Sequence, residues 1–360
     1  MLPIEQTLEN TDKSIFGKVL LAGPSTKARG GIAAVLRNYT NAARDFGYIA
    51  TTSRLGKTAS IAQFVLAVAV LPILRLRGYR ILHAHSSVRG SFRRKTILVR
   101  WARFWGMHTI LHLHSGAIRE YFGKTGINKA QKQLQACDAV VALTQGWKKY
   151  LDSELSLSNV YVIGNPVTSV PNIPLSRNGS TLRLLFLGAI LEAKGIFDLL
   201  DVIYTHKKEF SGRITLDIGG IGKEYDRMFR QIDTRGLHEI VRLHGWVEGK
   251  AKEQLLRECD VLILPSYSEG MPVSILEAMT ARMAVITCPV GGIPEIASDG
   301  VNAIFTPPGN KNALYKAIKK LLENPQQLQA MADRNYDKAK TYSMEATLEK
   351  LRQLYNNIIM

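Results

Sequence analysis

Two carboxylates eight residues apart, Glu269 and Glu277, mark the segment of this sequence best suited to chemistry. The apolar run Val261–Leu264 precedes them and predicts a buried parallel strand, and Pro272 between them is typical of a helix start. Glu269 would then lie in the loop at the carboxyl end of the strand, and Glu277 one to two turns into the helix. Since a helix N-terminus at this edge of a sheet can bind phosphate, the two carboxylates could hold hydroxyl groups that flank it.

A glycine-bearing loop follows the first predicted strand and opens a helix. Its residues Gly30 and Gly31 would let the backbone approach a ligand closely, with the helix N-terminus behind them favouring an anion. The spacing matches neither the dinucleotide-binding fingerprint nor a P-loop, and a plain turn explains the loop about as well.

Four histidines form two pairs, His83 with His85 and His112 with His114, and each pair lies on one face of its predicted strand. A zinc site is one interpretation, but no nearby Cys or carboxylate completes a ligand set, so we expect packed or hydrogen-bonded histidines and no metal. His114, at the end of its strand, is the best placed of the four to meet a substrate. Lys194, in the loop after another strand, could neutralise phosphate charge or be an ordinary surface lysine.

Strand and helix patterns alternate along the chain, then restart after a stretch rich in Pro, Asn, Ser and Gly at residues 169–180. Such alternation predicts two doubly wound parallel sheets, each Rossmann-like, that face one another across a cleft. We expect a basic N-terminal domain over residues 1–170 and a second domain over residues 181–342. The final helix, within residues 343–360, would pack back on the N-terminal domain.

Positive charge is concentrated in the first half of the chain. Residues 1–170 hold 23 Lys and Arg against 8 Asp and Glu, a net of +15, whereas the remainder holds 24 against 22, a net of +2. The excess indicates an anionic partner for the first half, either nucleic acid or a membrane surface, or simply a basic solubilising surface. Three scattered cysteines and a polar, acidic start without the order of a signal peptide favour a cytoplasmic protein.

Together these motifs resemble the family-4 retaining glycosyltransferases of the GT-B fold, over nearly the whole chain. The resemblance is carried by the Gly30–Gly31 loop, the His114 strand, Gly164-Asn165-Pro166-Val167, the Lys194 loop, the carboxylate pair and Gly291-Gly292-Ile293-Pro294-Glu295. The segment from Glu269 to Glu277, with Gly270, Met271 and Pro272 inside it, is the most specific part.

The resemblance implies a role for each of these residues. Glu269 would contact the donor sugar, Glu277 the ribose hydroxyls, and the backbone from Gly270 through Met271 and Pro272 to Val273 the sugar and phosphate. Lys194 would stabilise the departing diphosphate, and His114 would sit near the reacting sugar, with Asn165 as a possible further site residue. Gly30 and Gly31 would border the diphosphate from the first domain.

The function implied is transfer of a hexose, with retention of configuration, from a UDP- or GDP-sugar to a glycan or polyprenyl-linked acceptor in cell-surface polysaccharide biosynthesis. No metal or other cofactor is expected. One departure is that Ala189 stands where the family often has an arginine, which leaves the clamp on the diphosphate incomplete. Since no nucleophile is evident beside the carboxylates, we expect a front-face mechanism.

An apolar run at residues 61–74 is too short to span a bilayer, which takes about 20 residues, and it predicts a buried helix of the first domain. The alternative is a membrane-bound surface, because Arg75, Arg77 and Arg80 follow, and Ile97, Trp101, Phe104 and Trp105 then recur at helical spacing beside Arg93, Arg100 and Arg103. On that interpretation the protein associates with the inner face of the cell membrane.

Other functions stay open on the sequence alone. A nucleotide-sugar epimerase or hydrolase would keep the fold and change the chemistry. A basic nucleic-acid-binding or membrane-binding protein without catalysis is an alternative of another class, but no nucleic-acid-binding motif supports it, and no nucleic-acid partner is expected. A catalytically inactive sensor of nucleotide sugars is a fourth alternative.

Overall fold

The computed structural model describes residues 13–171, 173 and 181–359. The chain divides into two compact units, Met1–Pro166 together with Met344–Met360, and Val167–Ser343. The predicted linker at residues 169–180 falls mostly outside the described residues.

Six parallel strands form the sheet of the first unit, in the spatial order β2-β1-β3-β4-β5-β6. They are Val19–Gly23 (β1), Gly47–Ala50 (β2), Ile81–Ser86 (β3), His108–Leu113 (β4), Ala139–Ala142 (β5) and Val160–Val162 (β6). Every residue of β1, β3 and β5 is buried, as expected where helices cover both faces of a parallel sheet.

Among the described residues of the first unit, seven helices come before β6 in the sequence. They are Lys13–Phe16 (α1), Gly31–Ala42 (α2), Lys57–Leu76 (α3), Gly90–Phe104 (α4), Ile118–Thr125 (α5), Ile127–Gln135 (α6) and Gln145–Glu154 (α7). The chain moves one way across the sheet from β1 to β2 and the other way from β2 through β3 to β4. Because parallel crossovers are right-handed, α3 and α4 share one face of the sheet and α2 covers the other.

The second unit repeats this architecture with the strand order β12-β11-β10-β7-β8-β9. Its strands are Leu182–Leu187 (β7), Ile214–Gly219 (β8), Val241–Gly245 (β9), Val261–Leu264 (β10), Ala284–Thr287 (β11) and Ile304–Phe305 (β12). Numbered within the unit, this is the Rossmann order 3-2-1-4-5-6, in which the chain reverses direction between β7 and β10. Ligands of such sheets bind at that reversal, outside the carboxyl ends of the strands.

The helices of the second unit alternate with its strands. They are Ile196–Thr205 (α8), Lys207–Phe210 (α9), Tyr225–Thr234 (α10), Gly249–Glu258 (α11), Val273–Thr280 (α12), Ile293–Ile296 (α13), Lys311–Glu323 (α14) and Pro325–Ala339 (α15). Short 3₁₀ turns occupy Glu192–Lys194 and Lys340–Tyr342. The prediction of two parallel-sheet α/β units is confirmed.

The final helix, Met344–Ile359 (α16), returns to the first unit and packs beside α1 and α2. Its Tyr355 is fully buried, contacts the ring of Phe16 edge-on and hydrogen-bonds through its hydroxyl to His83 Nδ1 at 2.7 Å. The last helix therefore contributes to the core of a unit that is otherwise built from the first half of the chain.

The apolar run at residues 61–74 belongs to α3, but the prediction of a buried helix is wrong. Only Ala67 and Leu71 of α3 are buried, and in its most apolar 18-residue stretch 11% of residues are inside the unit. By length and composition α3 is the one helix of the described chain that could cross a membrane. The apolar composition predicted the helix correctly. It did not indicate that only one side of the helix would pack against the unit.

Candidate functional site

The candidate donor site lies where the second sheet reverses direction. Lys194 follows β7 and Glu269 follows β10, and these two strands are neighbours in the sheet. The Nζ atom of Lys194 lies 2.6 Å from Oε1 of Glu269. Two residues that are 75 positions apart in the sequence thus form an ion pair at the edge where an α/β sheet binds its ligand.

Backbone contacts hold the two loops of this pair together. The amide of Tyr267 donates to the carbonyl of Ala193 at 2.9 Å, which joins the β10 loop to the β7 loop. Gly195 ends the 3₁₀ turn with a positive φ of 69°, and a Cβ atom there would overlap the carbonyl oxygen of Pro265. A glycine is therefore required where Lys194 turns back towards Glu269.

The carboxylate of Glu269 is nearly buried, with 7% of its side chain exposed, while 24% of the Lys194 side chain is exposed. Ser266 Oγ donates a second hydrogen bond to Oε1, at 2.8 Å. In the described part of the chain no hydrogen bond falls on Oε2. This arrangement fixes the carboxylate through one oxygen and leaves the other able to accept a hydrogen bond from a ligand hydroxyl.

The loop between Glu269 and α12 is held against a second glycine turn. The amide of Gly292 donates to the carbonyl of Gly270 at 2.8 Å, and Gly291 has a positive φ of 58°. A Cβ atom at Gly291 would overlap the carbonyl oxygen of Glu269. The Gly291-Gly292 motif therefore supports the Glu269 loop from behind.

Helix α12 begins one residue later than the position of its proline. Pro272 is the N-cap and Val273 the first helical residue, so the expectation of a helix start at or near Pro272 is correct to within one residue. Pro272 has no N–H, so it cannot donate to a phosphate, contrary to its inclusion among the predicted backbone donors. Among the described residues, the N–H groups of Gly270 and Val273 have no hydrogen-bond partner and remain available to an anion at the helix N-terminus.

Glu277 lies just over one turn into α12, where a lysine that the sequence did not single out holds it. Lys252 Nζ, from α11, lies 2.6 Å from Glu277 Oε1, and both side chains are mostly buried. Thus each of the two carboxylates in the opening motif is oriented by a lysine from a different loop or helix. Lys252 gave no signal in the sequence because a single lysine on a surface helix has no distinctive pattern.

The loop that carries Ala189 in place of an arginine is closely packed. Cβ atoms at Gly220 and Gly222 would overlap the carbonyl oxygens of Gly188 and Ile190, so the loops after β7 and β8 run in backbone contact. Arg227, the nearest arginine along α10, is engaged by Glu192 at 2.6 Å and by Glu224 at 3.7 Å. Among the described residues, the positive groups beside the two carboxylates thus include Lys194, Lys252 and the N-terminus of α12.

In the first unit, one stack of rings is formed by four histidines on β3, on β4 and directly after β4, namely His83, His85, His112 and His114. His85 and His112 are register partners, and neighbouring rings in the stack lie 4.2–5.4 Å apart between centroids. Burial lowers the pKa of His83 to about 3, and burial with the charges of neighbouring groups holds the pKa values of His85 and His112 well below their usual range. The stack is therefore neutral at physiological pH.

His114 closes the exposed end of the stack. Its Nε2 lies 2.9 Å from Nδ1 of His85, and its side chain is hydrogen-bonded to that of Asn165, which raises its pKa, although the larger effect of burial lowers that pKa to about 4. His114 and Asn165 were both predicted site residues, and the structure brings them together. A neutral imidazole in this position can donate or accept one hydrogen bond but carries no charge.

A metal at this stack would lack any anionic ligand among the described residues. The ring nitrogens of His83, His85 and His112 lie within 4.8 Å of one another. However, Lys95 is fully buried close by, where its positive charge contributes to lowering the pKa of His85. A divalent cation would be repelled by that lysine, so the absence of a metal stays our prediction for this site.

Lys95 is buried in the first unit, although nothing in the sequence indicates it. Its ammonium hydrogen-bonds to Thr51 Oγ1, which donates to the carbonyl of Gly23 at 2.8 Å. Burial, and to a smaller extent the charge of Arg94, lower its pKa to about 7. The predicted loop residues Gly30 and Gly31 begin α2 near the same edge of the sheet, and added Cβ atoms there would meet nothing, so space exists for a ligand.

The second unit is similar in sequence to a known family of proteins. Residues 174–338 match the family described as glycosyl transferases group 1. This match spans most of the second unit, which is thus similar to group 1 glycosyl transferases. A 221-residue segment is 27% identical to an uncharacterized glycosyltransferase of Methanocaldococcus jannaschii and covers 61% of this chain and 60% of that protein.

Two further proteins show the extent of the similarity. A 106-residue segment is 30% identical to the N,N'-diacetylbacillosaminyl-diphospho-undecaprenol alpha-1,3-N-acetylgalactosaminyltransferase of Campylobacter jejuni. This segment covers 29% of this chain and 28% of that protein. The crystal structure of Anabaena HepE in complex with UDP has a TM-score of 0.74 at 17% identity and covers 94% of this chain and 99% of that one. The fold is thus that of the GT-B glycosyl transferases, while the sequence matches span about 60% or less of these curated relatives.

Proposed function

We propose that this protein is a glycosyltransferase that moves a sugar from a nucleoside-diphosphate donor to a glycan or polyprenyl-linked acceptor, with retention of anomeric configuration. The observation that carries the proposal is the Lys194–Glu269 ion pair at the reversal of the second sheet, with Glu277 on the same segment. A nucleotide sugar has hydroxyls at both ends and a diphosphate between. Glu269, the free amides of Gly270 and Val273 at the start of α12, and Glu277 follow one another in the matching order.

In the proposed reaction, the bond between the anomeric carbon and the diphosphate oxygen breaks, and a bond forms between that carbon and an acceptor hydroxyl oxygen. The hydroxyl proton passes to the departing diphosphate on the same face of the sugar. Lys194 and the free amides of Gly270 and Val273 stabilise the charge that develops on the leaving group. Glu269 accepts a hydrogen bond from the sugar through Oε2, and Glu277 holds the ribose.

The acceptor is assigned more coarsely than the donor. The relative from Campylobacter jejuni has a name that describes an acceptor linked to diphospho-undecaprenol, and the basic first unit suits an acceptor of that charge. We therefore propose a role in cell-surface polysaccharide biosynthesis at the inner face of the membrane. UDP in the HepE complex supports a UDP-sugar as the first donor to test.

A donor and acceptor assay tests the proposal. Thermal shifts with UDP-, GDP- and ADP-sugars identify the donor, and release of the nucleoside diphosphate is then measured with and without glycan or polyprenyl-linked acceptors. We expect release that depends on the acceptor and a product of retained configuration. Release without any acceptor would favour a hydrolase, interconversion of the donor sugar would favour an epimerase, and binding of none of the donors would contradict the proposal.

A further inference from the structure

One side of α3 presents a continuous apolar surface to its surroundings. Ile61, Val65, Leu66, Ile73 and Leu76 are each at least half exposed, with Leu76 at 82%. At 100° per residue they fall within an arc of about 140° on one side of the helix, which extends for about 30 Å at 1.5 Å per residue. Exposed apolar stretches of this kind mark binding surfaces for proteins or membranes.

The opposite side of α3 is fastened to the first unit. Ala67 and Leu71 are buried, Trp101 Nε1 donates to the carbonyl of Val68 at 2.9 Å, and Gln63 Nε2 donates to the carbonyl of Ala50 at 3.3 Å. Crossing a bilayer would require the helix to leave all of these partners. The contacts therefore favour a helix that stays along the side of the unit, with its outer side free.

Helix α4 extends the same surface with aromatic side chains. Phe104 is 76% exposed and Trp105 38% exposed, and both contact the ring of Trp101. Trp101 is bonded to Val68, and Arg75 Nε donates to the carbonyl of Gly106 at 3.3 Å, so the C-terminal ends of α3 and α4 lie side by side. Large amphipathic aromatics at the edge of an apolar surface are typical of the interface between water and lipid.

The charge of this region selects the partner. Between Asp45 and Glu120 the sequence has no acidic residue and twelve Lys or Arg residues. Arg77, Arg93 and Arg100 are exposed and have no ion-pair partner in the described part of the chain. A protein partner or a second copy of this chain would also cover apolar side chains, but a surface with this uniform charge would repel a second copy of itself. An anionic lipid surface satisfies both the apolar and the basic groups.

We propose that the α3–α4 face, formed by the exposed side chains of Ile61, Val65, Leu66, Ile73, Phe104 and Trp105 with the arginines beside them, docks on an anionic bilayer. Helix α3 lies in the plane of the headgroups, with its outer side among the first methylenes of the acyl chains. The inference deepens the proposed function and rests on it, because docking would bring the first unit to a polyprenyl-linked acceptor.

Vesicle sedimentation tests the docking without any nucleotide or acceptor. The full chain is incubated with vesicles of phosphatidylglycerol and phosphatidylcholine, or of phosphatidylcholine alone, at low and high salt. A double variant, Val65→Asp with Leu66→Asp, removes part of the apolar surface. A triple variant, Arg77→Glu with Arg93→Glu and Arg100→Glu, reverses the basic charge. Their matched controls lie in the second unit, Phe229→Asp for an exposed apolar residue and Lys316→Glu with Lys320→Glu for exposed charge.

The wild type and both controls should bind the anionic vesicles, release in high salt and bind phosphatidylcholine weakly. Each surface arginine contributes roughly fivefold in affinity, so the triple variant should bind at least about 100-fold more weakly, and the apolar variant at least about tenfold. The emission of Trp105 is obtained as the difference between wild type and Trp105→Phe. This emission should be quenched more by lipid brominated near the headgroup than by lipid brominated near the chain end.

Several results would overturn the proposal. Equal vesicle binding by the surface variants and the controls would remove the α3–α4 face from the interaction. Resistance to high salt and carbonate, with quenching from deep bromines, would mean that α3 spans the bilayer. A wild-type dimer in lipid-free solution that Val65→Asp with Leu66→Asp converts to monomer would assign the face to a second copy. Donor binding by the same variants is measured in parallel, so a failure of docking with intact donor binding leaves the proposed function standing.

Discussion

Lys194 Nζ and Glu269 Oε1 lie 2.6 Å apart between the loops of two adjacent strands, and Ser266 donates to the same carboxylate oxygen. The pair places a positive charge and an oriented carboxylate at the reversal of a Rossmann sheet. One group suits a departing diphosphate and the other a sugar hydroxyl, so we assign the pair to the donor end of the proposed transfer.

Replacing Lys194 by alanine should lower kcat by about 10²–10³, because a charge that stabilises the leaving group in the transition state is lost. The KM for the donor should change much less. Steady-state kinetics with circular dichroism and Tm measurements separate this loss from unfolding, since Glu269 is then left without its cationic partner. Lys320→Ala, at an exposed position of α14, is the control and should leave both constants unchanged. Undiminished turnover in Lys194→Ala would contradict the role in leaving-group stabilisation.

A methyl group at Gly291 should displace the Glu269 loop. Alanine at this position combines a strained positive φ with overlap of the Glu269 carbonyl, so we expect a loss of at least about 2 kcal/mol in unfolding free energy and a marked fall in donor affinity. Gly300→Ala is the matched control, because Gly300 also has a positive φ but open space around it. Its cost should be about 1 kcal/mol, with donor binding intact. Equal donor affinities for the two variants would show that Gly291 does not support the site.

The first unit should lose stability in mild acid. Burial lowers the pKa values of His83 and His114 to about 3 and about 4, and it holds those of His85 and His112 well below the ordinary value near 6.5. Below pH 6.5 the unfolded chain binds protons that the folded chain does not, so stability falls as pH falls. At pH 5.5 each histidine should cost about 1.4 kcal/mol relative to neutral pH.

Hydrogen exchange of amides in β3 and β4 measures this effect within the first unit, between pH 5 and 8. The slope of unfolding free energy against pH is proportional to the number of protons taken up on unfolding. The variant His112→Leu should lower that number by about one, because one buried histidine is gone. A stability that stays constant over this pH range in the wild type would show that the stack accepts protons in the folded state.

The parallel sheets could be predicted from local pattern, and so could the positions of Lys194 and Glu269 in loops that follow strands. Apolar runs such as Val261–Leu264 predict buried parallel strands, and residues that follow such strands share one edge of the sheet. Lys194 and Glu269 follow neighbouring strands of the sheet, but the ion pair between them was not predicted. The strands β2 and β12 were not predicted, because Gly47–Ala50 lacks the continuous aliphatic run of the central strands and Ile304–Phe305 has only two residues.

The environment of a side chain was harder to predict than its secondary structure. Lys95 follows Arg94 in the sequence, yet its side chain is fully buried and hydrogen-bonded to Thr51. Lys252 on α11 is hydrogen-bonded to Glu277. Both contacts join residues that are distant in sequence, and no local pattern encodes them. In the same way, the composition of α3 predicted a helix but not which of its sides would meet the unit.

The assignment of Glu277 to the ribose is the central claim about donor recognition, and calorimetry with a modified nucleotide tests it most directly. The nucleoside diphosphate of the best donor and its 2′-deoxy analogue are titrated into wild type, Glu277→Ala and Lys252→Ala. We expect the wild type to prefer the ribose form by about tenfold or more, since a hydrogen bond to a charged group contributes about 1.5–3 kcal/mol. Glu277→Ala should bind both forms equally weakly, and Lys252→Ala should retain part of the preference. A Glu277→Ala protein that kept the full preference for the ribose form would contradict the assignment.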